Sequence, residues 1–278
     1  MTERVNTTKE KIESEEIKKI ILEILLEFQK CCERQGLRFF LSGGTLLGAI
    51  RHQGFIPWDD DIDLCMPRPD YEKLIRLNKE QTLFPEYLEL VCFEEGTLSY
   101  PFMKLLDRRT LMARDYIAGE DTDRLWIDIF PVDGLPDGIQ ETEEIYRKAA
   151  SIRKKFMLAK ARYATGTTLV KKIAKLFITP VMKLIGAKHY ATQLVKLAEG
   201  YSFETSAYVG AITWGLYGVG ERMEKEAFLK EAQVSFEGHT FPTMSCWESY
   251  LCSTFGDYMT LPPEEKRVTH EMTVWRLS

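Results

Sequence analysis

The residues of this chain best spaced to do chemistry are the two acids of Asp61-Ile62-Asp63. Positions two apart on a strand face the same way, so both carboxylates would look out from one side of a sheet. Two anions held together repel each other unless a cation sits between them, and oxygen-only ligands suit Mg2+ or Mn2+. Trp126-Ile127-Asp128-Ile129-Phe130 places a third acid inside an apolar run, where a carboxylate without a partner or a metal would be costly. Three carboxylates on two neighbouring strands are expected to hold divalent metal for in-line displacement at phosphorus. Asp61, Asp63 and Asp128 are therefore the candidate catalytic and metal-binding residues, whereas Asp59 and Asp60 fit a solvated acidic loop. Upstream, Ser42-Gly43-Gly44-Thr45 stands between a strand-like and a helix-like run. Paired glycines there let backbone N–H groups approach a phosphate at the positive end of a helix dipole; a plain tight turn explains them about as well.

Two basic residues are candidate phosphate contacts. Lys104 lies in Phe102-Met103-Lys104-Leu105-Leu106, where alternation turns it to the same face as Phe102 and Leu106 and lets it reach a pyrophosphate. A lysine on a strand edge is the competing reading. Arg51, with His52, precedes the acidic cluster, although His52 fits a surface turn equally well, and Trp58 reads as packing. Ser42, Gly43, Gly44, Thr45, Arg51 and Lys104 are thus the candidate substrate-binding set.

The elements that must position these groups can be read from hydrophobic spacing. Ile17, Ile20, Ile21, Ile24, Leu25, Phe28, Cys31 and Cys32 recur at helical steps, and Gly36 suits the C-terminal cap. Leu37–Leu41 and Asp61–Met66 read as strands, with Pro69–Asn78 as a helix between that pair and further strands at Leu88–Phe93, Phe102–Leu106, Thr110–Arg114 and Leu125–Phe130. The expected fold class is α/β (α+β), a mixed sheet with flanking helices.

The chain has 278 residues, with 45% hydrophobic and 28% charged residues, enough for a full core. A formal charge of −5 argues against a nucleic-acid binder. That total conceals a division. Positions 145–198 carry 13 Lys or Arg and no acid, which leaves 24 basic residues against all 42 acids elsewhere. Helices are expected from about 140 to 200, with Leu169, Val170, Ile173, Leu176 and Phe177 among lysines at helical spacing. The polar start, Met1 to Glu16, carries no apolar secretory segment, and no apolar stretch is long enough to span a bilayer. Six cysteines without metal-knuckle spacing are expected as reduced core thiols. The implied organisation is a polar segment at 1–15, a catalytic core at 16–139, a basic helical segment at 140–200, and a C-terminal part at 201–278 that completes the catalytic domain.

The motifs GGTLLGAIRHQGFIPWDDDID, PFMKLLD, LWIDIFPVDGL and FGDYMTLPP, in this order, resemble the LicD family of phosphocholine transferases, relatives of fukutin and fukutin-related glycan phosphotransferases. The resemblance covers roughly residues 20 to 135 and 221 to 271. It implies a nucleotidyltransferase-like fold in which Gly43 and Gly44 form the phosphate turn, Asp61 and Asp63 the metal pair, and Asp128 the third carboxylate. Thr45 stands where many nucleotidyltransferases carry serine, with the hydroxyl retained. The implied reaction passes a phosphoalcohol from CDP-choline or a similar CDP-alcohol to a sugar hydroxyl, with release of CMP. The acceptor would be a cell-surface glycan precursor of teichoic acid or lipopolysaccharide type, including a lipid-linked oligosaccharide. Transfer of NMP from an NTP, or a non-catalytic glycan- or membrane-binding relative, are the alternatives. A choline headgroup would want an aromatic cage, for which Tyr208, Trp214, Tyr217 and Tyr258 are candidates against a background of core aromatics. The basic segment fits a solvated face, an anionic acceptor, or an anionic membrane surface; the last implies a cytoplasmic protein peripheral to the inner membrane face.

Overall fold

The computed structural model describes residues 9–113, 123–161, 179–267 and 273–277. After strand β1 (Lys9–Ile12), helix α1 (Ser14–Gln35) buries the same eight apolar side chains that recur at helical steps, and Gly36 ends it at φ 59°. A left-handed residue at that position is where glycine is least costly. Strand β2 (Phe40–Leu41) leads into helix α2 (Gly43–His52), and β3 (Asp63–Pro67) leads into helix α3 (Arg68–Glu80). Strands β4 (Leu88–Cys92), β5 (Met103–Asp107), β6 (Thr110–Ala113) and the long β7 (Leu125–Leu135) follow.

The central sheet runs in the order β2-β3-β7-β5-β4, with β7 as its axis. β7 pairs parallel with β3 and antiparallel with β5, and its last three residues pair with β8 (Tyr208–Gly210), which continues to β9 (Met223–Glu224). The fold is therefore a mixed α/β sheet with flanking helices. A buried ion pair, Arg68 Nε to Asp133 Oδ1 at 2.6 Å, ties the start of α3 to β7. It lies one step beyond the Pro67–Val132 rung, so slipping β3 against β7 would strand both charges.

The C-terminal third returns to this sheet. The hairpin of β10 (Glu231–Phe236) and β11 (His239–Met244) packs beside β2, where the Thr243 hydroxyl donates to the Leu41 carbonyl at 3.2 Å. Helix Trp247–Phe255 then brings Tyr250 inward, and β12 (Thr273–Leu277) pairs with both β1 and β6. Helix α4 (Ile139–Lys160) packs along helix Ala187–Ala198.

Several expectations are corrected. Only Phe40 and Leu41 of the Leu37–Leu41 run are strand, and β3 begins at Asp63, so Asp61 sits in the lead-in rather than on the strand. β6 belongs to a separate sheet with β1 and β12. The thiols of Cys31, Cys32, Cys65 and Cys92 are buried as expected, but Cys252 is exposed. The helix expected around Leu169–Phe177, including Lys171, Lys172 and Lys175, lies outside the described residues.

Candidate active site

Asp63 and Asp128 are direct partners in the parallel register of β3 and β7. Their side chains therefore stand on one face of the sheet, at a separation set by the strand spacing of about 4.8 Å. Asp61, just ahead of β3, lines the same pocket of about 180 Å³, together with Ser42, Gly43 and Gly44. Asp63 is pinned through its backbone on both sides: its N–H donates to the Thr45 hydroxyl at 2.8 Å, and its carbonyl accepts from the Ser42 N–H at 3.1 Å. Thr45 thus holds the strand in place; it is buried and does not line the pocket.

The glycine pair lets the acidic side chains pack close against the turn. A side chain added at Gly43 would start 3.0 Å from Asp63 Oδ2, at a φ of 53° that already disfavours other residues. One added at Gly44 would start 2.8 Å from Asp59 Oδ2. Asp59, expected in a solvated loop, is therefore folded against the glycine turn and joins the acidic group. Burial first, then the charges of Asp61, Asp128 and Asp59, hold the Asp63 carboxyl well above the usual carboxylate range, with Lys104 pulling the other way. Among the described residues, no three His, Cys, Asp or Glu side chains close into a ligating cluster. The acids share one wall of a pocket rather than one point.

Asp128 finds the partner that its apolar run demands. Lys104 is its cross-strand neighbour on β5, and Nζ lies 3.0 Å from Asp128 Oδ1, without the alignment of a hydrogen bond. The ammonium sits 4.0 Å from the centre of the Trp126 ring and is 3% exposed. Lys104 therefore supports Asp128 from the neighbouring strand, on the same face of the sheet, without lining the pocket. Arg51 is also absent from the lining: its guanidinium donates to the Tyr258 carbonyl at 2.8 Å, and its pKa is lowered by burial and by the neighbouring Arg267 charge. Arg267 in turn stacks 4.9 Å over Trp58, which packs as expected.

The opposite wall is built by the returning chain and contains residues that spacing did not single out. Tyr250 accepts the Gly43 N–H at 3.3 Å and donates to Glu221 Oε2 at 3.5 Å, so one amide of the glycine turn is wired to a second, distant acid. Glu221 is 6% exposed, and burial raises its pKa to about 7 against bonds from the Tyr217 amide and Tyr250 hydroxyl. Its one sequence signal is position: it is the first charge after the uncharged stretch Thr205–Gly220. Trp214 and Tyr217 line the pocket as well. Tyr208 instead stacks on Arg222, and Tyr258 is engaged by Arg51 through its carbonyl.

Residues 36–164 match the family model described as LicD/FKTN/FKRP, nucleotidyltransferase domain. Across almost its whole length, the chain is similar to lipopolysaccharide cholinephosphotransferase LicD of Haemophilus influenzae: 30% identity over 257 residues, covering 91% of this chain and 94% of the relative. The chain belongs to the LicD family. A shorter match, 59% identity over 32 residues, links it to the ribitol 5-phosphate transferase FKRP of Homo sapiens, covering 12% of this chain and 6% of the relative. Membership in the LicD family makes the chain a phosphotransferase, and the acidic wall of the pocket, with Gly43, Gly44, Asp61, Asp63 and Asp128, is formed by residues of the LicD motifs.

Proposed function

We propose that this LicD-family enzyme transfers a phosphoalcohol, with phosphocholine as the leading candidate, from a CDP-linked donor to a sugar hydroxyl of a cell-surface glycan precursor, releasing CMP. The observation that carries this reading is the in-register pairing of Asp63 with Asp128 beside the Gly43–Gly44 turn, in one pocket. The donor set is all oxygen, and the carboxylates of Asp61 and Asp128 lie close enough to Asp63 to raise its pKa, an arrangement that fits a hard divalent ion such as Mg2+ or Mn2+. Asp61, Asp63 and Asp128 would hold it, and when bound it would neutralise charge on the donor pyrophosphate.

The chain's own groups do the rest. Past Gly43, whose N–H is held by Tyr250, the next amides at the start of α2 bind phosphate oxygens where the helix dipole favours negative charge. Asp128, held by Lys104, orients the acceptor hydroxyl and takes its proton as its oxygen bonds to phosphorus. The bond from that phosphorus to the bridging oxygen breaks, and its electron pair leaves with CMP.

The test is product identity. With Mg2+ and a glycan acceptor, purified enzyme should release CMP from a CDP-alcohol. Pyrophosphate from an NTP, with no CMP from any CDP-alcohol, would establish nucleotidyl transfer instead.

The described part of the basic segment supports an anionic membrane surface as the place where acceptor is met. Val181, Leu184 and Ile185 are exposed, Leu184 at 88%, beside Lys183 and Lys188. No helix of the described residues is long and apolar enough to cross a membrane. Binding to vesicles should require anionic lipid and weaken with salt; equal binding to neutral vesicles would remove this element.

A further inference from the structure

The pocket has a second chemical character that phosphate transfer does not use. Away from the acidic group, much of its lining is aromatic and thioether: Phe130, two residues along β7 from Asp128, shares the pocket with Trp214, Tyr217, Met223, Met244 and Glu221. We propose that Glu221, with the rings of Trp214 and Tyr217, forms a subsite for a cationic headgroup on the transferred phosphoalcohol, making Glu221 the residue that selects an amino alcohol over a neutral polyol. This rests on the phosphoalcohol-transfer reading and adds to it which class of alcohol is read, and by which side chains.

Three observations support it. First, Glu221 is a buried carboxyl whose hydrogen bonds come from neutral donors, the Tyr250 hydroxyl and backbone amides of Tyr217 and Leu216, so a bound cation would favour its charged form. The nearest counter-charge, Arg153, is committed elsewhere, donating to the Gly215 carbonyl at 2.8 Å and to the Thr213 carbonyl at 3.5 Å. A buried carboxylate in this setting gains most from a cation that brings its own charge and demands few hydrogen bonds.

Second, the rings are fixed. Trp214 packs edge-on against Phe102, Tyr100 and Phe156 at centroid distances of 5.1, 5.6 and 6.0 Å, and Tyr217 sits 4.8 Å from Phe255 at the pocket mouth. An ammonium with alkyl substituents is satisfied by aromatic faces. A polyol in the same place would need hydrogen-bond partners that Phe130 and the two methionines cannot supply.

Third, the spacing is short. Gly43 N–H, Tyr250 hydroxyl and Glu221 form one continuous relay with steps of 3.3 and 3.5 Å. The Tyr250 hydroxyl thus bridges the glycine turn and Glu221, so a small phosphoalcohol bound at the turn has Glu221 within its reach.

The experiment is calorimetric binding of CDP-choline, CDP-glycerol and CMP to the full chain with Mg2+, for the wild type and Glu221→Gln. The wild type should prefer CDP-choline over CDP-glycerol, and E221Q should shrink that preference by about tenfold. CMP affinity reports on an intact nucleotide site. If E221Q fails to bind CMP, Tyr217→Leu, at a half-exposed ring, carries the same test through the same ratio. Equal wild-type affinity for both CDP-alcohols, or a preference unchanged in the variant, would overturn the subsite and leave phosphoalcohol transfer standing. Failure of every CDP-alcohol to bind better than CMP would instead undercut the transfer reading itself.

Discussion

The two walls of the pocket are made differently. One is a piece of sheet: Asp63 and Asp128 face each other across a parallel rung, Lys104 backs Asp128 from the next strand, and Arg68 with Asp133 locks the register. The other is a returning chain: a short strand, a tight turn ending at Glu221, and a helix that delivers Tyr250. In the first wall, side-chain positions follow from strand geometry, which tolerates no drift without breaking the ladder. In the second they follow from tertiary packing. On the proposed reading this is a division of labour, with phosphate chemistry on the wall fixed by strand register and substrate choice on the wall fixed by tertiary packing.

That division can be broken by experiment. Asp63→Ala should cost at least about a thousandfold in turnover with every CDP-alcohol accepted, since it strikes the chemistry rather than the choice. Its folded stability should hold or rise, because the acid it removes is repelled by Asp61, Asp128 and Asp59. Initial rates and urea unfolding would check both, and a loss confined to one donor would erase the distinction between the walls.

On the returning wall, the expected effect is on stability against pH. Glu221 titrates near 7 in the folded protein, against an ordinary value of 4.5. Between those values the folded state keeps a proton that the unfolded chain releases. Stability from this group is therefore greatest below about pH 4.5 and falls as pH rises, by roughly 3 kcal/mol once pH exceeds 7. The groups acting on it are Arg153, the Tyr250 hydroxyl and the amides of Tyr217 and Leu216. Urea unfolding at pH 5 and pH 8 should show that loss in the wild type and a flatter profile in Glu221→Gln; parallel profiles would count against the assignment.

The smallest effect is expected at the seam between the walls. Gly43→Ala should cost about 1–2 kcal/mol from its left-handed backbone. It should also weaken CMP binding, because the added carbon crowds Asp63. Thermal unfolding with and without CMP separates the two contributions.

Much of the first wall was legible in the sequence, and little of the second. Alternation gave away β5 and β7, and an acid in the Trp126–Phe130 run announced that it needed a partner. That the partner is Lys104 depends on cross-strand register, which the alternation of either strand alone does not specify. Asp59 read as solvated because nothing in its neighbours shows that the chain folds it back on Gly44. Glu221 and Tyr250 lie far along the chain from the glycine turn that they meet, in segments without a useful period. A lone acid closing a long uncharged stretch was the available hint. The aromatic candidates divided similarly: Trp214 and Tyr217 reach the pocket, whereas Tyr208 and Tyr258 are not part of its lining.

The rung joining Asp63 to Asp128 also bears on how the chain acquires its activity. These residues and the neighbouring pair Arg68–Asp133, 65 positions apart, meet only when a long loop has closed and the central parallel pairing has formed. Parallel contacts of this range are among the slow steps of folding, since loop entropy is lost before the contact rewards it. On the proposed reading, catalytic competence is therefore not an early local property. It arrives together with the middle of the sheet, so a chain emerging from the ribosome has no part of the proposed acidic site paired until β7 has been made and has found β3.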